Sequence, residues 1–287
     1  MKEIEYSFAE DLLAIRELLK ISQSELAKFI NVQQITISRN ETRNTTPSKD
    51  LLEKVYGYAY NKGINLSKLK EMLYLENLKD SHLLLYHGSK NEIKGLINID
   101  KGKNNNDFGQ GFYTGENYDQ ALSYISGYPY SNIYYIDFNN KGLKYLKYNV
   151  DQEWMLTIAY YRGLLGKHEN HPKIKKLVEK TKTCDYIIAP IADNRMFQII
   201  NSFINDEITD EQCKHCLAAT NLGNQYVFKT KKSINNIKII EKLYISNAEK
   251  EHYRNISIKN RNLGNDKVKL AKIKYRGKGK YIDEILK

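Results

Sequence analysis

Over the first 75 residues, apolar side chains fall at helical spacing: Ile15, Leu18 and Leu19, then Leu26, Phe29 and Ile30. Steps of three and four residues set these side chains on one face of successive short helices. Ser22 and Ser24 are candidate caps for the second helix, since a serine hydroxyl can accept from the unpaired amides of a first turn. Asn31-Val32 marks the sharp turn that follows, because asparagine tolerates a left-handed backbone better than most residues. A third helix is predicted over 33–39. A last one, entered through Gly63, Asn65 and Ser67, ends near Tyr74, and 76–80 reads as a linker.

From Leu83 the pattern changes to short β-type runs, at 83–86, 111–114, 132–138, 185–189 and 225–229. Helical stretches separate them at 118–125, 151–165, 172–180, 195–205 and 210–217. Strands interrupted irregularly by helices predict an α+β domain rather than a doubly wound parallel sheet. No GxGxxG follows a first strand and no GxxxxGKS loop occurs, so neither common phosphate cradle is present. The expected ranges are an all-α domain over 1–75, an α+β domain over 81–245 and a basic extension over 246–287.

A chain of 287 residues can bury two cores of ordinary size. It has no apolar run of about 18 residues that would cross a bilayer. The acidic N-terminus lacks the basic-then-apolar pattern of a signal peptide, and a cytoplasmic protein with no membrane partner is expected. Cys184, Cys213 and Cys216 are an odd set, in keeping with a reducing compartment. Cys213 and Cys216 have the spacing of half a zinc site, but no second pair follows; no metal is expected, and the two read as helix-borne thiols. His168 and His171, near Pro172, read as solvent-facing.

Charge is concentrated at one end. Residues 1–75 carry 11 basic and 10 acidic side chains, 76–228 carry 17 and 18, and 229–287 carry 17 and 6, so the net +11 lies in the last 59 residues. Lys267, Lys269, Lys272, Lys274, Arg276, Lys278 and Lys280, with Tyr275 and Tyr281 among them, could hold a phosphate backbone or an acidic partner. They could equally form a solvated extension.

The stretch Gln23-Ser24-Glu25-Leu26-Ala27-Lys28, with Val32, residues 35–39, Glu41 and Pro47-Ser48, resembles the phage-repressor-like helix-turn-helix family (XRE type). The resemblance implies that the second helix of the motif enters the major groove, with Gln33, Gln34, Thr36, Ser38 and Arg39 meeting bases or phosphates and Gln23 meeting the backbone. Asn40 stands where that family commonly has an aromatic residue, and a module of net charge +1 is weakly basic for a DNA binder. A scaffold kept for dimerisation or partner contact is the other reading.

Leu84-Leu85-Tyr86-His87-Gly88-Ser89 resembles the first active-site strand of the poly(ADP-ribose) polymerase branch of the ADP-ribosyltransferases. Phe108-Gly109-Gln110-Gly111-Phe112-Tyr113 resembles their second, and Asn224-Gln225-Tyr226-Val227-Phe228 stands where the third is expected. The region, with Asp185 to Asp193, also resembles an uncharacterised bacterial family suspected of the same activity and often encoded beside small antitoxin-like proteins.

The resemblance implies an ADP-ribosyltransferase-like fold with a split antiparallel sheet and NAD as co-substrate. His87 would bond the adenosine ribose, Gly88 would offer its backbone to the nicotinamide carboxamide, and Ser89 would add a hydroxyl. Tyr113 would stack on nicotinamide, Gly109 and Gly111 would allow close approach, and Tyr118 would form a second wall. Gln225 replaces the commoner glutamate: it can bond a ribose hydroxyl but cannot act as a general base, a role open to the acceptor itself or to Asp193 or Glu116. His87, Tyr113 and Gln225 are thus the expected catalytic set.

The implied activity is single transfer of ADP-ribose to a macromolecular acceptor, protein, RNA or DNA, by a toxin or phage-defence effector. Operator DNA and a small antitoxin-like inhibitor are the further partners implied. NAD hydrolysis, and a transcriptional regulator with an inactive NAD-sensing domain, are the alternatives.

Overall fold

The computed structural model describes residues 4–129, 131–219 and 222–287. It is α+β, as the spacing predicts, with a helical N-terminal region followed by mostly antiparallel strands and helices. The chain divides into two compact units that do not follow the ranges expected from the sequence. The first takes Met1–Gly95, Ala121–Asn139 and Lys238–Ile256; the second takes Leu96–Gln120, Asn140–Ile237 and Ser257–Lys287.

In the first unit, α1 (Phe8–Leu19), α2 (Gln23–Phe29), α3 (Gln34–Glu41) and α4 (Lys49–Asn61) close around Leu12, Ile15, Leu26, Ile37, Leu52 and Val55. Ser22, not Ser24, caps α2: its hydroxyl accepts from the Glu25 amide while the Glu25 carboxylate accepts from the Ser22 amide at 2.7 Å. The Ser22 amide first, and then the Ser22 hydroxyl, which donates to the same carboxylate at 2.8 Å, hold the Glu25 carboxyl below the usual carboxylate range. Asn31 takes φ 54° at the turn, as its position predicts. The third helix begins one residue later than expected and runs two residues further.

The next helix, α5 (Leu66–Glu76), turns a polar face inward. Lys70 meets Asp11 at 2.5 Å and Glu241 at 3.1 Å, Tyr74 donates to Glu241 at 2.8 Å, and the Ser67 carbonyl accepts from Tyr135 at 2.7 Å. Apart from Leu66, which packs on the first core, its aliphatic side chains point out, Leu69 being 40%, Met72 57% and Leu73 59% exposed. Glu241 lies on β7 (Ile237–Tyr244), and Tyr135 on β3 (Asn132–Asn139), which pairs antiparallel with β1 (His82–Ser89). The helical module and these three strands, ordered β1-β3-β7, therefore make one body.

The second unit holds β2 (Phe112–Gly115), β4 (Tyr145–Lys147), β5 (Tyr186–Pro190) and β6 (Asn224–Phe228), ordered β4-β5-β6-β2. The β2–β6 and β5–β6 pairs are antiparallel, and β4–β5 is parallel. Trp154, Ile158, Ile187, Ile200, Phe203 and Val227 are fully buried in its core. Packed there are α7 (Gln152–Tyr161), α8 (Pro172–Lys182), α9 (Asn194–Ile204) and α10 (Asp210–Ala218). Asp151, His171, Asp193 and Thr209 cap them in turn, and Pro172 opens α8.

Two further expectations change. The basic residues after 246 are not a loose extension: 247–274 is a helix and Ile282–Ile285 another, with Val268, Ile282 and Leu286 in the second core. Gln212 Nε2 donates to the Lys272 carbonyl at 2.6 Å, and His215 stacks on Tyr275 with ring centroids 3.5 Å apart. His168 and His171 do not face solvent freely, since His168 Nε2 lies 3.2 Å from Asp283 and His171 accepts from the Lys173 amide. Cys213 and Cys216 are buried free thiols on α10, as read, with burial pushing the Cys213 thiol well up. Among the described residues, no helix is long and apolar enough to cross a membrane, and no group of three or more His, Cys, Asp or Glu is placed to hold a metal.

Candidate functional site

His87, Gly88 and Ser89 end β1 in the first unit, opposite Tyr134, Ile133 and Asn132 of β3. The His87 and Tyr134 rings lie 6.3 Å apart, and the Ser89 hydroxyl accepts from the Asn91 amide at 3.3 Å. Gly88 has a packing reason to lack a side chain. A Cβ there would lie 2.7 Å from the Ala121 carbonyl oxygen and 2.8 Å from Ile125 Cγ2.

Gly111, Tyr113, Tyr118 and Gln225 belong to the second unit. Tyr113 pairs with Val227 and Gly115 with Gln225 across β2 and β6, so Tyr113, Gly115, Gln225 and Val227 share one face of this ribbon. A Cβ at Gly111 would stand 2.9 Å from the Phe228 carbonyl and from Val227. At Gly109, φ is +71° and a Cβ would meet the Tyr161 ring at 2.9 Å, so both the turn and the packing require glycine. The Tyr113 hydroxyl donates to the Gly109 carbonyl at 2.7 Å and accepts from the Phe108 amide at 3.1 Å. Burial raises its pKa, only partly opposed by the Phe108 amide. Tyr118 is fully buried at the start of an eight-residue helix, Tyr118–Ile125.

Gln225 is buried, and its amide is held at one end. Nε2 donates to Asp107 Oδ2 at 2.7 Å and to the Pro190 carbonyl at 3.2 Å. A primary amide nitrogen has two hydrogens and both are committed to acceptors, so Gln225 has its carbonyl oxygen to offer a ligand. Arg162 closes the group: Nη2 and Nε donate to Asp107 Oδ1 at 2.5 and 3.1 Å, and the guanidinium lies over the Phe197 ring, 4.1 Å from its centroid. Lys229 donates to the Phe108 and Gln110 carbonyls, each at 2.6 Å, fixing the glycine-rich loop, and burial lowers its pKa. A cleft of about 280 Å³ lies beside β6, with Tyr148, Pro190, Met196 and Asn224 among its lining residues.

Asp107 and Arg162 escaped the sequence reading. The available signal was a carboxylate directly before Phe108-Gly109, but its contact with Gln225 spans 118 positions. The carboxylates considered instead are engaged elsewhere. Asp193 accepts from the Met196 amide as the cap of α9, and Glu116 Oε1 accepts from the Asn224 backbone and side-chain nitrogens, both at 2.9 Å.

In the helical module, Gln33, Gln34 and Arg39 are exposed, with Thr36 and Ser38 half-buried. A polar chain stiffens this surface. Gln34 donates to Gln23 at 2.7 Å, Gln23 to Glu41 at 2.6 Å, and Arg16 holds Glu41 through Nε at 2.5 Å. Asn40 is buried and donates to the Thr36 carbonyl.

Residues 83–239, more than half of the chain, match the family model described as protein of unknown function (DUF3990). The chain belongs to the DUF3990 family. Its DUF3990 region contains all three ordered strings, from the strand bearing His87 to the strand bearing Gln225. Residues 12–55 match the helix-turn-helix family model HTH_3, so the first four helices carry a helix-turn-helix of the DNA-binding type. No curated protein and no solved structure matches the chain significantly.

Proposed function

We propose that this DUF3990 protein is an NAD-dependent mono-ADP-ribosyltransferase acting on a macromolecular acceptor. One observation carries the reading: Tyr113 and Gln225 share a face of the β2–β6 ribbon, and the Gln225 amide is anchored so that its carbonyl remains to accept a ribose hydroxyl. The reaction breaks the bond between nicotinamide and ribose and releases nicotinamide. The ribose carbon then bonds to an acceptor nucleophile, which gives up its proton. The developing oxocarbenium character demands groups that position rather than attack, and an aromatic ring with a fixed amide is of that kind. With no carboxylate at position 225, extension into a polymer is not part of the proposal.

The test is incubation of purified protein with labelled NAD and separate protein, RNA and DNA fractions, with Tyr113→Ala as control. Label on one fraction, lost in the control, supports transfer and names the acceptor class. Nicotinamide release without label means that water is the acceptor and the protein hydrolyses NAD. Neither product would sink the enzymatic reading and favour a regulator that senses NAD without turnover.

For the helical module we propose DNA, including the operator of its own gene, as the ligand of the α3 surface. The Gln34-Gln23-Glu41-Arg16 chain supports this by holding Gln34, exposed at the start of α3, on a rigid base. A toxin or phage-defence role in the cytoplasm, restrained by a small inhibitor protein, completes the proposal. Growth arrest on expression, relieved by such a partner, tests it.

A further inference from the structure

Gln225 poses a problem of orientation. Its two ends are nearly equal in size and opposite in hydrogen-bonding sense, so an unanchored side chain would present carbonyl and amine alike. A ribose hydroxyl that must be held as a donor meets an acceptor in only one of the two rotamers.

Asp107 resolves this. Its carboxylate accepts only, and its oxygens divide the work: Oδ1 takes both bonds from Arg162, and Oδ2 takes the Gln225 amine at 2.7 Å. The Pro190 carbonyl takes the second amide hydrogen. Asp107 is 5% and Gln225 6% exposed, so water does not compete for these bonds. We infer that Asp107, fixed by Arg162, is the positioning residue that turns the carbonyl of Gln225 toward the substrate, giving a glutamine site the acceptor that a glutamate would supply. The inference rests on the proposed reading of Gln225 as a ribose-binding group.

The arrangement makes a prediction opposite to simple restoration of the commoner glutamate. Gln225→Glu sets two carboxylates against each other at the Asp107 contact, where one must take a proton or the contact must break. Asp107→Asn fails differently. The new amide has one oxygen for two donors, so with Arg162 taking it, its amine can be met only by a flipped Gln225. The double variant D107N/Q225E restores a matched donor and acceptor at the 107–225 contact: Arg162 donates to the asparagine oxygen, and the asparagine amine donates to the glutamate, leaving only the Pro190 carbonyl without the bond it took from Gln225.

The experiment measures nicotinamide release from NAD and thermal melting for the full chain, D107N, Q225E and D107N/Q225E between pH 5 and 8. Each single variant is expected to lose about tenfold in kcat, the worth of one hydrogen bond to a charged group, with KM for NAD changed much less. Q225E should also melt about 5 °C lower at neutral pH and recover as pH falls, since a shared proton relieves the pair. The double variant should regain most of both losses. Single variants that match the parent, or losses that simply add in the double variant, overturn the inference. If the parent releases no nicotinamide, the enzymatic reading fails on its own; the Asp107–Gln225 clamp is then judged by the melting cycle and its pH dependence, where additive shifts reject it.

Discussion

The Tyr86 hydroxyl donates to Glu71 Oε1 at 2.6 Å, joining the strand that carries His87 to the last helix of the N-terminal module. With the Tyr135 bond to the Ser67 carbonyl and the Tyr74 bond to Glu241, it makes α5 a wall of the β1-β3-β7 layer. A fragment beginning at residue 81 would leave these buried groups without partners. It is expected to aggregate or to melt without cooperativity, whereas the full chain melts sharply. A fragment 81–287 with the melting temperature of the full protein would show that the module is a mere appendage.

Lys70 stands between Asp11 and Glu241, and all three side chains are largely buried. Burial raises the Asp11 pKa, and Lys70 pulls it back. The folded protein therefore holds the Asp11 proton to higher pH than the unfolded chain. Stability from this site declines as pH rises from the ordinary aspartate value through the raised one. Lys70→Met removes the opposing charge and widens that window upward. It should cost about 3 kcal/mol at neutral pH, with a deficit that shrinks as Asp11 takes a proton on acidification. Urea denaturation of both proteins at pH 7 and pH 5 measures this; a deficit independent of pH would refute it.

Gly88→Ala drives a methyl group against the Ala121 carbonyl and Ile125. Because backbone cannot yield as a flexible side chain does, a destabilisation of about 2 kcal/mol is expected. Gly127→Ala has nothing within 4 Å of the new atom and serves as the neutral control. Equal melting of the two variants would contradict the packing role of Gly88.

Arg39 is exposed at the end of α3. If it meets a phosphate, Arg39→Ala should weaken DNA binding similarly on all sequences and lower the salt slope by about one. Gln33→Ala should instead change which sequence is preferred. Binding titrations at several salt concentrations separate the two outcomes, and an unchanged slope for Arg39→Ala would remove it from the interface.

Much of the local architecture is legible in the chain. A serine cap at the start of the second helix, the turn at Asn31 and the β-type strings depend on neighbours within a few residues, so spacing and residue type reveal them. α5 shows where that logic inverts. Its aliphatic side chains after Leu66 face outward and its polar ones inward, because the surface beneath offers Asp11, Glu241 and two tyrosines instead of aliphatic groups. A pattern rule that assigns the apolar side to the core would turn this helix the wrong way.

By itself, the sequence determined the helix-turn-helix, the α+β character of the rest and the positions of the three ordered strings, since each is written in short-range periodicity or in adjacent residues. Only the tertiary structure decided that the basic end packs into a core through Val268 and Ile282. It alone revealed that the module shares a body with β1, and that Asp107 and Arg162 set the amide of Gln225. The physical reason is common to all three. Burial gives a polar contact its directional force, and which groups are buried together depends on how distant segments pack.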